Sequence, residues 1–385
     1  MQPGLEGYRR ADGRIGVRNH LLFLSTVVCA NAVVQRIAAE YPGAVGLDHA
    51  AGCIALDDDR DLVRAVLLGL ARNPNVGAVV FVGLGCEQTP ARFLHEQLEG
   101  EKPVEHVSIQ DEGGTDGALV KCRALAQRLL AQIAAARREP FGVDELVVAT
   151  KCGGSDWTSA IASNPAVGIV SDRIVAAGGT SLMGEAAGWF GAEPVLLGRA
   201  KTDKTKEDIL NVLRRIYETA ERRGTRIDHA NPAPGNIAGG ITTLTEKALG
   251  AVRKAGDSAI EGLLAVGEYP ARRGLWLMDN PSLDPASLAG MAGAGAQIVL
   301  FTTGRGTPTG SPLCPVIKIC ASHAGVQRMR GNIDVDISDV VTQGAPLAEA
   351  ADRIESLLYA VANGTATRSE ALGHREFVMP QMGVL

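Results

Sequence analysis

Three cysteines of this 385-residue chain stand where apolar runs break off into polar or glycine-rich turns. Cys53 follows His49, Cys86 adjoins Glu87, and Cys152 sits between Lys151 and a turn that ends in Asp156. Thiolate, imidazole and carboxylate together suit iron or zinc. No CxxC or HExxH spacing brings such ligands together locally, so only the fold could do so. Packing is the commoner explanation for any single cysteine, and Cys29, Cys122 and Cys320 lie among apolar neighbours and read as core. A rival reading makes Cys152 a nucleophile, its pKa lowered by Lys151 and a following helix N-terminus. The chain has no GxSxG elbow or P-loop, and no GxGxxG after its first strand, so nucleotide binding is the weaker alternative.

These residues need strands to deliver them. Residues 146–150 form an apolar, β-branched run that predicts a buried strand, stopped by Lys151, Cys152, Gly153, Gly154, Ser155 and Asp156. Asn164-Pro165 then opens a helix that a Gly178-Gly179 pair ends. In parallel sheets such strand ends open into a crevice, and paired glycines let backbone approach a ligand. The same alternation recurs along the chain. Strands are expected at 21–28, 45–47, 76–85, 104–110, 180–183, 262–266, 274–278, 296–302 and 316–320. Helices are expected at 32–40, with Asn31 as N-cap, and at 62–71, 92–98, 116–138, 205–223, 243–255 and 346–362. The fold class is therefore α/β: two Rossmann-like domains with mostly parallel sheets and helices on both faces, spanning 1–140 and 141–385. The proline- and glycine-rich stretch 231–240 predicts a shaped loop without regular structure, poised over a site. The basic segment 7–20 reads as an arm over a neighbouring surface or as a solvated loop.

Composition removes several function classes. With 46% hydrophobic residues, 4% aromatic residues and 46 glycines, the chain suits aliphatic α/β cores with many tight turns. Its net charge of −5 and the lack of a basic stripe argue against a nucleic-acid partner. There is no apolar run long enough to span a membrane and no signal peptide, so a cytoplasmic protein is expected. Seven cysteines, an odd number, do not make a disulfide framework.

Taken together, the motifs resemble the altronate and galactarate dehydratase family. They are GYRRADGRIGVRNH, the Cys29-Ala30-Asn31 turn, His49 to Cys53, NPNVGAVVFVGLGCE, KCGGSDWTSAIASNPAVG, Glu185 with Gly191-Ala192-Glu193, NPAPGNIAGGITTLTEKALGAVRKAG and LFTTGRGTPTGSPLCPVIK. The resemblance covers nearly the whole chain. It implies a hydro-lyase that uses ferrous iron, another divalent metal or an iron–sulfur cluster to convert a sugar acid into a 2-keto-3-deoxy acid. The chain then resembles either the large, catalytic subunit of a split enzyme that works with a separate small SAF-domain subunit, or a member lacking that N-terminal domain, and a homo-oligomer is expected. A related branch, sulfolactate sulfo-lyase, eliminates sulfite instead. A sugar-acid-binding subunit without catalysis is the reading from a different class.

The implied elimination needs a cation to hold the developing enediolate, a base for the α-proton and an acid for the departing hydroxyl. His49, Cys53, Cys86 and Cys152, with Glu87 or Glu185, are the expected metal ligands. Lys151 or His49 is the expected base, with Asp156 as a further catalytic group. Arg305 is expected to clamp the substrate carboxylate, with Arg18 and Lys318 in reserve, while Ser155, Thr302 and Thr303 read sugar hydroxyls.

Overall fold

The computed structural model describes residues 4–380. In chain order the strands of the first half are β1 (Leu5–Arg9), β2 (Ile15–Gly16), β3 (His20–Ser25), β4 (Ala44–Leu47), β5 (Val76–Gly83), β6 (Val104–Ser108) and β7 (Glu139–Phe141). The second half adds β8 (Val147–Cys152), β9 (Thr180–Met183), β10 (Ile260–Leu264), β11 (Gly274–Met278), β12 (Ile298–Thr302), β13 (Val316–Cys320) and β14 (Val335–Asp336). One sheet runs β4-β3-β5-β6 and another β10-β11-β9-β8-β12-β13-β14, all with parallel pairing. The α/β architecture with two parallel sheets is thus as expected.

Period-two alternation distributes the core. On β3, Leu22 and Leu24 point to one apolar cluster, while Leu21 and Phe23 point to another with helices Asn31–Glu40 and Thr115–Ala134. The first of these clusters also takes Ala149, Met278, Val299 and Phe301 from the second sheet, so one core lies between the two sheets. Helices Asp57–Arg72 and Asp284–Gly293 pack together within it. Acids Asp57, Asp58 and Asp59 occupy the first turn of their helix, where its dipole favours them.

The loop before β5 fastens the halves together. Fully buried Asn75 donates from Nδ2 to the carbonyls of Gln297 and Leu313, both at 2.9 Å, and accepts Val17 N–H at 2.9 Å. Asn73 donates to Ala292 and Ala296 at 2.7 and 2.9 Å. The short buried amide is what allows two backbone segments from different sheets to meet there with their polar groups satisfied.

Several expectations change. The basic segment is neither arm nor loose loop, because β1 pairs antiparallel with both β2 and β7 and so ties the terminus to the boundary between the halves. Asn31 is not an N-cap but the first helical residue, and its side chain holds the backbone of His49 at 2.9 Å. The stretch 231–240 contains a helical turn, Pro234–Ala238, because a proline at its start costs no hydrogen bond. No helix among the described residues is long and apolar enough to cross a membrane.

Replacing Asn75 with Ala strands several buried backbone groups. A loss of about 2–4 kcal/mol in unfolding free energy is expected from unmade buried hydrogen bonds. Urea denaturation measures it, and a change below about 0.5 kcal/mol would contradict the fastening role.

Candidate active site

The second sheet reverses its winding beside β8: β9 follows on one side, and β12 lies on the other. Ligands bind at such a switch point, outside the strand carboxyl ends. β8 delivers Lys151 and Cys152 there, and Cys152 pairs in register with Thr302 of β12. Glu185 follows β9, and Asp284 begins the helix after β11. Gly153 is required by this crowding, since a Cβ would come within 2.7 Å of the Asp284 carboxylate and 2.8 Å of Phe301. Gly154 takes a left-handed φ of 58° and accepts the Gly304 and Arg305 N–H groups at 3.2 and 2.9 Å.

These ends hold a buried charge cluster. Lys151 Nζ pairs with Glu185 Oε1, lies 2.8 Å from Asp284 Oδ1 and donates to the Cys152 carbonyl at 2.8 Å. Lys254 Nζ lies 2.9 Å from Glu185 Oε2 and 3.5 Å from Cys152 Sγ. Glu185 Oε2 also accepts Cys152 N–H at 3.2 Å. Burial alone would raise the Glu185 pKa, yet the two ammoniums overcome it and hold the carboxyl down at about 2. Burial would likewise lower Lys151, but Glu185 and Asp284 raise it instead. Lys254 is raised against burial by Cys152 and Glu185. Glu185 adopts φ 71°, a left-handed conformation costing a side-chain-bearing residue roughly 1–3 kcal/mol, which this cluster must outweigh.

Above the cluster opens a cavity of about 350 Å³. Cys152, Glu185 and Lys254 line its floor, with Ser155, Lys247, Ser282 and Arg305 around them. The Ser282 hydroxyl has no hydrogen-bond partner among the described residues. Lys247 donates to Asn231 Oδ1 at 2.5 Å and Asn236 Oδ1 at 3.0 Å. Its pKa is lowered chiefly by burial and further by Lys151 and Lys254, against the opposing pull of Cys152 and Glu185. The cavity therefore offers the Lys247 amine with its lowered pKa, the Lys254 ammonium, a guanidinium, a thiol and a hydroxyl.

Of the residues singled out in the sequence, Lys151, Cys152, Ser155, Glu185 and Arg305 meet here. Lys151 is a charged clamp rather than a base, because two carboxylates surround it. Asp156 Oδ1 accepts the Thr158 hydroxyl at 2.6 Å and Ser159 N–H at 3.2 Å, and so organises the turn beneath the loop. Thr302 donates to Asn164 Oδ1 at 2.6 Å, and Thr303 accepts Gly306 N–H at 3.0 Å; both hydroxyls serve backbone architecture. Arg18 is a fastener that grips Glu370 at 2.7 Å. Lys318 is wholly buried, its Nζ unpartnered among the described residues and its pKa pushed down to about 8, mainly by burial.

The first-half candidates lie outside the cavity lining. His49 has both ring nitrogens engaged, Nε2 with the Ser25 carbonyl at 2.8 Å and Nδ1 with Ala51 N–H at 3.1 Å. Burial lowers its pKa. Glu87 accepts the Thr26 hydroxyl at 2.9 Å and Gly85 N–H at 2.6 Å. Cys53 and Cys86 are exposed, and so is Cys29, which the apolar neighbours had suggested was core. Among the described residues, no three His, Cys, Asp or Glu side chains gather within reach of one ion. In the cavity both Glu185 oxygens already face ammoniums, so its donors do not fit the iron implied by the sequence resemblance.

Lys247, Lys254 and Asp284 were not among the sequence candidates. The signal for the lysines was their i, i+7 spacing, which puts both on one side of the helical segment 244–255.

Comparison with known proteins finds two family matches. Residues 143–385 match the family described as D-galactarate/altronate dehydratase, C-terminal, and residues 7–134 match D-galactarate dehydratase/altronate hydrolase, second domain. The beta subunit of (2R)-sulfolactate sulfo-lyase from Chromohalobacter salexigens is 36% identical over 98% of this chain and 97% of its own. Altronate dehydratase of Escherichia coli is 34% identical over 98% of this chain and 77% of its own. Galactarate dehydratase (L-threo-forming) of Escherichia coli is 33% identical over 93% and 72%.

Glu185→Gln leaves two buried ammoniums short of a counter-charge. Loss of about 3–5 kcal/mol at neutral pH is expected, as for a broken buried pair. Because the folded pKa of Glu185 is depressed, the wild-type advantage is present above the unfolded carboxylate pKa and fades as pH falls toward 2. Denaturation curves of both proteins should therefore converge in acid, and a gap unchanged by pH would refute the assignment.

Proposed function

The chain belongs to the D-galactarate/altronate dehydratase family, a family of lyases, and on that premise we propose that it dehydrates a sugar acid, an aldonate or aldarate, to a 2-keto-3-deoxy acid. The observation that carries this reading is the cavity floor, where a buried lysine–glutamate–lysine cluster meets Cys152 beneath Lys247 and Arg305. Arg305 pairs with the substrate carboxylate, for which its planar fork is suited. Lys247, the cavity amine whose pKa burial lowers, takes the α-proton. The developing enediolate is held by Arg305 and the Lys254 ammonium, whose charge is worth most in a dry pocket. Lys254 then protonates the departing β-hydroxyl, so water leaves and the enol relaxes to the ketone. Ser282 offers its unused hydroxyl to a hydroxyl of the substrate chain. Glu185 and Lys151 touch no reacting atom in this scheme and instead keep Lys254 charged and in place.

A second reading rests on the similarity to a (2R)-sulfolactate sulfo-lyase subunit, 36% identical over 98% of this chain: the leaving group is then sulfite rather than hydroxide. The same name supports a working assembly with a separate partner subunit.

Incubation with a panel of aldonates, aldarates and sulfolactate, followed by assay for 2-keto acid and sulfite, separates the two eliminations. Binding without either product would instead support a sensor. Lys247→Met is expected to lower kcat/KM roughly 100- to 10,000-fold, the usual worth of a general base. In the unaltered enzyme kcat/KM should rise with pH through a pKa below the ordinary lysine value, as Lys247 loses its proton. Persistence of that rising limb in Lys247→Met would remove the residue from the mechanism.

A further inference from the structure

Arg305 borders two cavities. Besides the catalytic one it lines a second, of about 360 Å³, together with Trp157, Gly304 and Arg328. The helical turn Pro234–Ala238 stands between them, with Gly235 facing the first space and Ala238 the second. An added Cβ on Gly235 would lie 3.7 Å from Arg305 Nε, so the guanidinium and the turn form one partition. Trp157 follows β8, Arg305 follows β12 and Arg328 ends the helix His323–Arg328 after β13. The second cavity therefore lies along the same carboxyl edge as the first.

Its electrostatics favour an anion. Neither Arg305 nor Arg328 forms an ion pair among the described residues. Arg328 is exposed and water can serve it, but Arg305 is half-buried, and a charge drawn out of water without a counter-charge is costly. One carboxylate shares the wall, that of buried Asp156, whose Oδ1 is taken by Thr158 and Ser159. Two guanidiniums against it leave a net positive hollow on a chain whose net charge is −5, and a concave positive wall concentrates anions. Trp157, 47% exposed, adds a flat apolar face on which a carbon chain can rest.

We propose that this second cavity is a carboxylate subsite, in which Arg328 and Arg305 hold a sugar acid outside the catalytic floor. The inference rests on the reading of the first cavity as a sugar-acid site. Arg328 meets the anion from solvent, and Arg305, which faces both spaces, is the group through which it reaches the floor beside Lys254 and Lys247. Capture makes only charge-assisted hydrogen bonds, for which the planar guanidinium fork is suited.

Trp157 supplies the readout. The chain has 3 tryptophans, and Trp189 and Trp276 are only 1% and 7% exposed, so a ligand in this hollow should act on the emission of Trp157. Glutarate, a dicarboxylate with no hydroxyl to eliminate, is titrated into the full chain. A saturable emission change is expected, weakened by added salt and absent in Trp157→Phe. In Arg328→Met the affinity should fall roughly tenfold or more, the worth of hydrogen bonds to a charged group. Glutaramide, the uncharged diamide, should leave the emission unchanged. The proposal is overturned by no saturable change in the unaltered chain, by equal affinity in Arg328→Met, by a response that survives in Trp157→Phe, or by glutaramide binding as well as glutarate. With the acid that the product assay identifies, Arg328→Met should lower kcat/KM several-fold and kcat less, and a loss confined to kcat would count against capture. Glutarate binding needs no turnover, so the subsite and the elimination can fail separately: an inactive chain that still binds glutarate loses the elimination and keeps the subsite.

Discussion

Two ammoniums and two carboxylates, packed against one thiol at the end of β8, are the constraint on which the rest of the second sheet depends. Removing charges from water costs several kcal/mol per ion, and only near-complete pairing returns it. Lys151 and Lys254 against Glu185 and Asp284 reach that balance. The consequences spread outward. Glu185 tolerates a left-handed backbone, Gly153 can carry no side chain, and the helix beginning at Asp284 must present its first turn to β8. The cluster therefore works as a rigid base on which a cavity with mobile chemistry can be built.

The core between the sheets supports that base from behind. Phe301 packs in it and also lies 5.5 Å from the Lys151 ammonium, so the charged cluster rests directly on apolar packing. Asn73 and Asn75 close the far side of the same core with buried amides. An apolar residue in either place would leave backbone carbonyls of the second half unpaired, which is why polar side chains sit fully buried there.

Much of the fold was legible because strands buried on both faces read as unbroken apolar runs, and Val76–Gly83 is buried throughout. Boundaries shifted by a few residues, and the helix Asp284–Gly293 escaped notice because nearly all of it is buried and it carries no polar face. The site was half legible. Cys152, Lys151 and Arg305 were marked by their glycine-rich loops, whereas Lys247 and Lys254 looked like ordinary surface lysines on a helix. Thr302 and Thr303 looked like substrate readers, and Asp156 like a catalytic group, because they border those loops, yet their side chains bond to Asn164, Gly306 and Thr158. A polar residue beside a ligand loop reads the same whether it faces the ligand or braces the turn.

By itself the sequence determined which stretches become strands, that glycine pairs must sit at the end of β8, and to which family of lyases the chain belongs. All of these follow from local patterning, from backbone freedom, or from ordered motifs along one dimension. Only the tertiary structure decided that Cys152 shares its surroundings with Lys254 rather than with His49, that carboxylates raise the Lys151 pKa against burial, and that burial lowers that of Lys247. The physical reason is that a side chain's protonation and role depend on how deeply it is buried and which charges face it. In a doubly wound sheet those neighbours come from strand ends far apart in the chain.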